Sequence, residues 1–178
     1  MKLIKFISTV SLSLLAGFIA ESSYAGSDSV NINVTGRVIA SPCTTINGGS
    51  DSLSVSLGET IQATTLSKPD SGTPKVTFDL PLTGCPLGTL NVKATFSGTA
   101  DTTSPTMWKN TAASPAANTA VELSTQADST ILGNGSTLTV PVSDGNATFK
   151  MQARAYSSAG SVTPGDIDST IIVAFEYQ

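Results

Sequence analysis

Residues 166–178, DIDSTIIVAFEYQ, decide the fold class of this chain. From residue 171 onward apolar side chains recur at every second position, and those on one face are Ile171, Val173, Phe175 and Tyr177. A period of two residues is typical of a half-buried β-strand. The chain is therefore predicted to close with a strand, which follows Gly165.

A second alternating stretch lies near the other end of the chain, in residues 28–40, DSVNINVTGRVIA. One face of this stretch carries Val30, Ile32, Val34, Gly36 and Val38. Chain termini are normally where order fades, so an apolar strand at each end of a small domain is unusual. We interpret each end as a segment made to pair with another strand.

The residues between these two ends repeat the same alternation with turn residues in between. The alternating runs are Leu53–Leu57, Val76–Leu82, Leu90–Phe96, Val121–Leu123, Leu138–Val142 and Ala147–Ala155. Asp144-Gly145 is a two-residue hairpin signal. With the final stretch, this spacing predicts about seven strands in one all-β domain, a β-sandwich of immunoglobulin-like size.

Composition excludes several classes of function. The 178-residue chain has a net charge of −4, no histidine and only 12% charged residues. Disorder would need low hydrophobicity and high net charge, whereas 39% of these residues are hydrophobic. Nucleic-acid binding needs clusters of Lys and Arg against the phosphates, and the acidic balance argues against such a partner.

Residues 1–25 have the three parts of a secretory signal peptide. Lys2 and Lys5 form a positive start, an apolar run follows to residue 20, and Ser23-Tyr24-Ala25 supplies small residues for a cut after Ala25. The alternative, an uncleaved membrane anchor, fits poorly because the run is short and no stop-transfer charges follow. Cleavage removes two lysines and one glutamate and leaves a net charge of −5.

Secretion decides how the two cysteines are interpreted. Cys43 and Cys85 are an even pair in an oxidising compartment, which predicts a disulfide. A reactive thiol would need an activating partner, and histidine is absent. On the loop-entropy model, a bridge that closes about 40 residues contributes about 3–4 kcal/mol to stability.

Four pieces of the sequence together resemble pilins of the chaperone–usher fimbriae. They are the alternating N-terminal segment with one glycine in its apolar register, Cys43, the segment FDLPLTGC at 78–85, and the ending from Gly165 to Tyr177. The stretch from Cys85 to Ala100 is most similar to the minor tip subunits of type 1 fimbriae. The resemblance covers the whole mature chain.

The resemblance implies an incomplete immunoglobulin-like β-sandwich, a pilin fold that lacks its last strand. The implied organisation is a signal peptide at 1–25, an N-terminal donor-strand extension at 26–40 and a pilin domain at 41–178. Apolar plugs of the donor strand would enter a neighbour's groove, with Gly36 where that groove is narrow. These plugs would be Val30, Ile32, Val34 and Val38. The residues bordering this subunit's own groove and pairing with a chaperone would be Gly165, Ile171, Val173, Phe175 and Tyr177.

The resemblance also implies partners and a location. The protein would be a structural subunit of an adhesive fimbria, by resemblance a minor or adaptor subunit of the tip, that polymerises by donor-strand exchange after delivery by a periplasmic chaperone. Its partners would be neighbouring fimbrial subunits, a periplasmic chaperone and an outer-membrane usher. It would pass through the periplasm to the cell surface without itself being a membrane protein, and no cofactor is expected.

Catalysis and metal binding have little support in the residues. Without histidine a Ser-His-Asp or Cys-His site is excluded. Paired carboxylates such as Asp166 and Asp168 could in principle hydrolyse a glycoside, but acidic residues near loops are more often solvated. Calcium through Asp and backbone oxygens remains open, although no EF-hand-like spacing supports it. We expect neither an enzyme nor a metalloprotein.

A self-complete secreted sandwich that binds a carbohydrate or a receptor is the main alternative. In that case residues 30–38 would simply form the first strand of a finished domain. Trp108 with Lys109 could then offer a small sugar-stacking surface, although a lone tryptophan more often packs in a core.

Overall fold

The computed structural model describes residues 29–178. The predicted signal peptide and residues 26–28 of the predicted extension lie outside the described residues. The chain divides into two units, one that ends at Gly36 and one that spans Arg37–Gln178. Residues 29–42 adopt no strand or helix, and the apolar side chains of this stretch are in solvent, with Val34 89% and Val38 99% exposed.

The second unit is built from short antiparallel strands. Their bounds are β1 (Thr45–Ile46), β2 (Ser71–Gly72), β3 (Val76–Thr83), β4 (Asn91–Gly98), β5 (Trp108–Lys109), β6 (Ala120–Thr125), β7 (Thr137–Pro141), β8 (Asn146–Ser157) and β9 (Ile171–Tyr177). Two 3-10 helices, Asn47–Gly49 and Ala63–Leu66, are the helical elements of the described residues.

The strands form two sheets that face each other across one core. The larger sheet has the order β1-β3-β8-β6-β5, with β2 added beside β8, and the smaller sheet has the order β7-β4-β9. Inward side chains of both sheets interleave, and the Phe149 and Phe175 rings meet with centroids 5.7 Å apart. The arrangement confirms the predicted all-β immunoglobulin-like sandwich.

The core is apolar and densely filled. Its most deeply buried large side chains include Leu82, Val92, Phe96, Trp108, Leu132 and Phe149. The indole nitrogen of Trp108 donates a hydrogen bond to the Leu132 carbonyl oxygen at 2.8 Å. The idea that Trp108 stacks on a sugar is therefore wrong, because its ring is a core side chain whose one polar atom already has a partner.

Most of the predicted strands are present, and the predicted hairpin at Asp144-Gly145 is confirmed. Both residues have positive φ, 50° and 72°, as a two-residue hairpin turn requires. Ser143 and Asn146 exchange two backbone hydrogen bonds of 2.8 and 2.9 Å across the turn. The turn joins β7 to β8 and so connects the two sheets.

The strand predicted at Leu53–Leu57 is wrong. Residues 52–58 form no strand ladder with any described residue, although Val55 and Leu57 are half-buried. Their alternation therefore reflects one side of the segment facing an apolar surface, not pairing within a sheet. The last strand is also shorter than residues 166–178, because residues 166–170 belong to an irregular segment that leads into β9.

The predicted disulfide joins Cys43 to Cys85. It connects the start of the domain to the turn that follows β3. The Cys85 amide also donates to the Gly145 carbonyl oxygen at 2.9 Å. The bridge thus holds the point where residues 29–42 join the domain against one end of the sandwich.

Replacing both cysteines, Cys43→Ser with Cys85→Ser, should lower the free energy of unfolding by about 3–4 kcal/mol through a freer unfolded chain. Urea unfolding of the purified mature protein measures this difference. Ser41→Ala serves as a control that changes the same region and leaves the bridge intact. Equal unfolding midpoints for the double variant and the parent would contradict a stabilising bridge.

Candidate functional site

An open apolar groove runs along the sandwich between β9 and residues 52–58. It encloses about 1500 Å³. Pockets for small molecules are typically roughly 300–1000 Å³, so this groove is too large and too elongated for such a ligand. Its length suits an extended polypeptide segment.

The two walls and the floor of the groove come from different elements. Inward side chains of β9, Ile171, Val173 and Phe175, form one wall, and Val55 and Leu57 belong to the other. The floor is made by core residues of both sheets. These are Phe78, Leu80, Phe96, Leu123, Met151 and Ala153. Most of these floor side chains are themselves buried, and the half-buried side chains are Phe78 and those of the two walls.

The wall formed by β9 is also a free sheet edge. Within residues 29–178, β9 pairs with β4 on one side, from Gly98↔Ile171 to Val92↔Tyr177, and with no strand on the other. A free edge presents backbone N–H and C=O groups that another strand can pair with. Backbone donors and acceptors therefore lie directly beside an apolar groove.

The predicted groove residues fall into two groups. Ile171, Val173, Phe175 and Gly165 line the groove, and their pairing with a chaperone stays a prediction. Tyr177 shares their face and packs against the core, but it is not part of the groove lining. Burial raises the pKa of the Tyr177 hydroxyl above its usual value.

The opposite face of β9 is turned away from the groove. There Glu176 accepts a 2.6 Å hydrogen bond from the Lys93 ammonium group on β4. This bond and the lysine charge lower the pKa of Glu176. The pair is exposed, so it contributes little stability.

One end of the groove, which we call the clip end, is formed by residues 110–119 and 160–168. The two segments are joined by backbone hydrogen bonds. Asp168 O accepts from Thr111 N at 2.8 Å, and Asp166 bonds to both Ser114 and Ala116. The clip end lies just before the first residue of β9.

The side chain of Asn110 holds the clip end together and was missed by sequence reasoning. Its amide nitrogen donates to the Asp166 carbonyl and to the Thr119 hydroxyl, both at 2.8 Å. Its amide oxygen accepts from the Asp168 and Ala112 backbone amides, both at 3.1 Å. Asn110 is buried and makes contacts with both segments. Asn110 thus ties residues 110–119 to the segment that leads into β9, and no local sequence pattern indicates this role.

Gly165 belongs to the same packing. A Cβ at this position would lie 2.5 Å from the Ala116 nitrogen and 2.7 Å from the Pro115 carbonyl carbon. Such distances are too short for any side chain. The glycine is therefore required because the clip backbone crosses directly over it.

The other end, which we call the root end, is where residues 29–42 join the domain. The Thr89 hydroxyl donates to the Ser41 carbonyl oxygen at 2.9 Å. Next to it, the Leu90 and Asn91 amides both donate to the carbonyl oxygen of Gln178. The root end thus lies past the last residue of β9, and the clip end lies before its first.

An immunoglobulin-like sandwich with a free edge strand beside an open groove is the arrangement to which an extended segment can add as a further strand. The family model described as "Fimbrial protein" matches residues 32–178. The chain belongs to this family and is a fimbrial subunit.

Two curated relatives from Escherichia coli support this assignment. The chain is 41% identical to the S-fimbrial adhesin protein SfaS of strain 536 over 147 residues, which cover 82% of this chain and 83% of SfaS. It is 36% identical to Protein FimG of strain K12 over 152 residues, which cover 83% of this chain and 84% of FimG.

Solved structures agree on the fold. The crystal structure of the P pilus rod subunit PapA matches with a TM-score of 0.64 at 19% identity, covering 78% of this chain and all of PapA. A Burkholderia pseudomallei antigen and type I fimbria protein matches with a TM-score of 0.58 at 26% identity, covering 78% of this chain and 90% of that chain. Among residues 29–178, no helix is long and apolar enough to cross a membrane.

Replacing Asn110 with alanine should loosen the clip end selectively. Loss of a buried hydrogen-bonding side chain costs about 1–3 kcal/mol, and each 1.4 kcal/mol is a factor of about ten in an opening equilibrium. Hydrogen exchange of the backbone amides in residues 160–168 should therefore accelerate about tenfold or more.

Asn134→Ala is the matched control, since Asn134 accepts a single hydrogen bond from Gly98 in an exposed loop. It should leave exchange in residues 160–168 unchanged. Unchanged protection of these amides in Asn110→Ala would show that Asn110 does not hold the clip end.

Proposed function

We propose that this chain is a minor adaptor subunit of a fimbrial tip, which polymerises by donor-strand exchange. The open groove accepts a strand from one neighbour, and residues 26–40 supply a strand to another. The observation that carries the proposal is the free edge of β9 beside an open groove that core side chains line. The similarity to FimG and SfaS supports a place in the tip.

The donor segment and the groove have matching patterns. Val30, Ile32 and Val34 recur at every second residue, as do Ile171, Val173 and Phe175 on β9. Residues 30–38 would span roughly 27 Å as a strand, somewhat more than the length of β9. Strand addition combines backbone hydrogen bonds, which supply affinity, with pockets for alternate side chains, which set the register.

Approximate free energies show which interactions must stabilise the added strand in the groove. Burying the four apolar plugs of the segment gives about 6–12 kcal/mol. Ordering nine backbone residues costs about 9–18 kcal/mol. Burial of the plugs alone is therefore insufficient. The groove walls, which are also removed from water, and the new ladder on β9, at about 0.5–1.5 kcal/mol per bond, must supply the rest.

During export through the periplasm, the free edge of β9 would need protection before assembly. A free edge beside an apolar groove is a template for aggregation. A periplasmic chaperone that pairs with β9 would protect this edge until an outer-membrane usher brings the next subunit. In this account the protein performs no catalysis, and its covalent processing is signal cleavage and the Cys43–Cys85 bond.

Val34→Asp tests the donor role. An aspartate would place an unpaired carboxylate in an apolar groove, which costs several kcal/mol in addition to the lost valine contact. A fluorescent peptide of residues 27–40 should bind the purified mature chain, and the variant peptide should bind at least about 100-fold more weakly, the factor for roughly 2.7 kcal/mol.

The matched control is Asn33→Asp, which adds the same charge on the opposite face of the segment. It should bind nearly as well as the parent peptide. Equal binding of the Val34→Asp and Asn33→Asp peptides would reject insertion of the valine face into the groove.

A further inference from the structure

We propose that the root end is itself a docking surface, which seats on the clip end of the subunit that accepts the donor segment. The inference rests on the proposed donor-strand exchange and adds a second contact between adjacent domains. The surface is formed by Leu87, Leu90 and Arg37, and its occupant is the clip end of a second subunit of the same fold.

The two leucines are exposed beside the point where the donor segment leaves. Leu87 is fully exposed and Leu90 is 70% exposed. They flank Thr89, whose hydroxyl holds Ser41. Leu87 sits at the second position of a tight turn closed by the Thr89 amide and the Pro86 carbonyl oxygen, with Gly88 at φ +97°. A single exposed leucine is common on protein surfaces, but two of them beside the proposed donor segment can extend the apolar contact between subunits.

The length of the connecting chain forces the two domains together. Val38 and Ser41 are three residues apart, which spans at most about 10 Å. If Val38 enters the acceptor's groove, the donor's root end must lie against the acceptor at the mouth of that groove. Leu87 and Leu90 would then face the acceptor's surface instead of water.

Strand direction decides which end of the acceptor is met. A donor strand antiparallel to β9 places Val38 near Ile171, at the clip end. A parallel donor would place it near Tyr177, at the root end, where the acceptor's own donor segment leaves beside Ser41. In the parallel direction two segments would therefore compete for the root end of the acceptor. The antiparallel direction avoids this competition, because each subunit then accepts one segment at its clip end and donates another from its root end.

The clip end has surface chemistry that suits the root end. Its exposed residues include small or uncharged side chains, Ala113, Pro115, Ala117 and Pro164. These four side chains can cover exposed leucines without burying a charge of their own. The composition of this face thus permits an apolar contact next to the groove.

Charge complementarity also favours the antiparallel direction of the donor strand. Asp166 and Asp168 are exposed at the clip end, and within residues 29–178 their carboxylates take part in no hydrogen bond or ion pair. Arg37 is exposed in the last part of the donor segment. In the antiparallel direction Arg37 arrives beside these carboxylates, which favours this direction over the other.

Site-directed crosslinking tests the contact with this chain in both roles. The donor is the mature chain with Leu87→Cys, its own groove filled by a copy of residues 27–40 fused after Gln178. The acceptor carries Val34→Asp, so that it cannot donate, together with Pro164→Cys at the clip end. A matched acceptor carries Ser143→Cys at the root end instead. Complexes are isolated by size, oxidised mildly and analysed on non-reducing gels.

The expected result is an interchain disulfide with the Pro164→Cys acceptor and none with the Ser143→Cys acceptor. A preference for Ser143→Cys, equal crosslinking, or no crosslinking in an isolated complex would overturn the docking proposal and leave donor-strand exchange standing. Failure to isolate any complex, with no binding of the 27–40 peptide either, would overturn both.

A charge exchange tests the ionic part separately. Arg37→Glu in the donor should slow complex formation about tenfold or more at low salt, the lower range of electrostatic steering, and less at high salt. Asp166→Lys with Asp168→Lys in the acceptor should restore the rate with the Arg37→Glu donor. An unchanged rate for Arg37→Glu, or no recovery in the exchanged pair, would overturn the ionic contact.

Discussion

The free edge of β9 is the constraint on which the rest of the structure depends. Because β9 pairs on one side with β4 and on the other with no described strand, its inward side chains border an open groove. An apolar edge of this kind is a liability that proteins normally cover. In the proposed donor-strand exchange, a neighbour's strand would supply both the hydrogen bonds that β9 lacks on its free side and an apolar cover for the groove.

Different contacts hold the two ends of β9 in place. At the root end, the Cys43–Cys85 bridge and the Thr89 contact to Ser41 fix where residues 29–42 join the domain. At the clip end, Asn110 fixes residues 166–168 just before the strand. Because these contacts hold both ends of β9, the ordering cost of the proposed strand addition would fall mainly on the added segment.

Much of this fold could be predicted from local alternation, and the misses have a common physical cause. The runs around Phe78, Phe149 and Phe175 each carry a period of two, which a strand with one buried face imposes. Leu53–Leu57 has the same period yet no ladder, because alternation reports a buried face and not a hydrogen-bonded partner. Pairing depends on contacts distant in sequence, which a local pattern does not contain.

The candidate site was predictable in part for the same reason. Ile171, Val173 and Phe175 follow from the alternation of the last strand, and the fimbrial resemblance assigns them to a groove. Asn110 could not be predicted as a site residue, because its structural role depends on hydrogen bonds to the backbone of Asp166 and Asp168, more than 50 residues later in the chain. The burial of Trp108 could not be predicted either, because the sequence around a single tryptophan does not show whether its ring is buried or exposed.

The most direct test of the account compares thermal unfolding of the mature chain with that of the same chain carrying residues 27–40 fused after Gln178 through a flexible linker. A fused copy with Val34→Asp is the control. The account predicts that the parent fusion melts roughly 10–20 °C higher, as a net gain of about 5 kcal/mol gives for a domain of this size, and that the control does not. Equal melting of all three proteins would mean that the sandwich is complete without a donor strand.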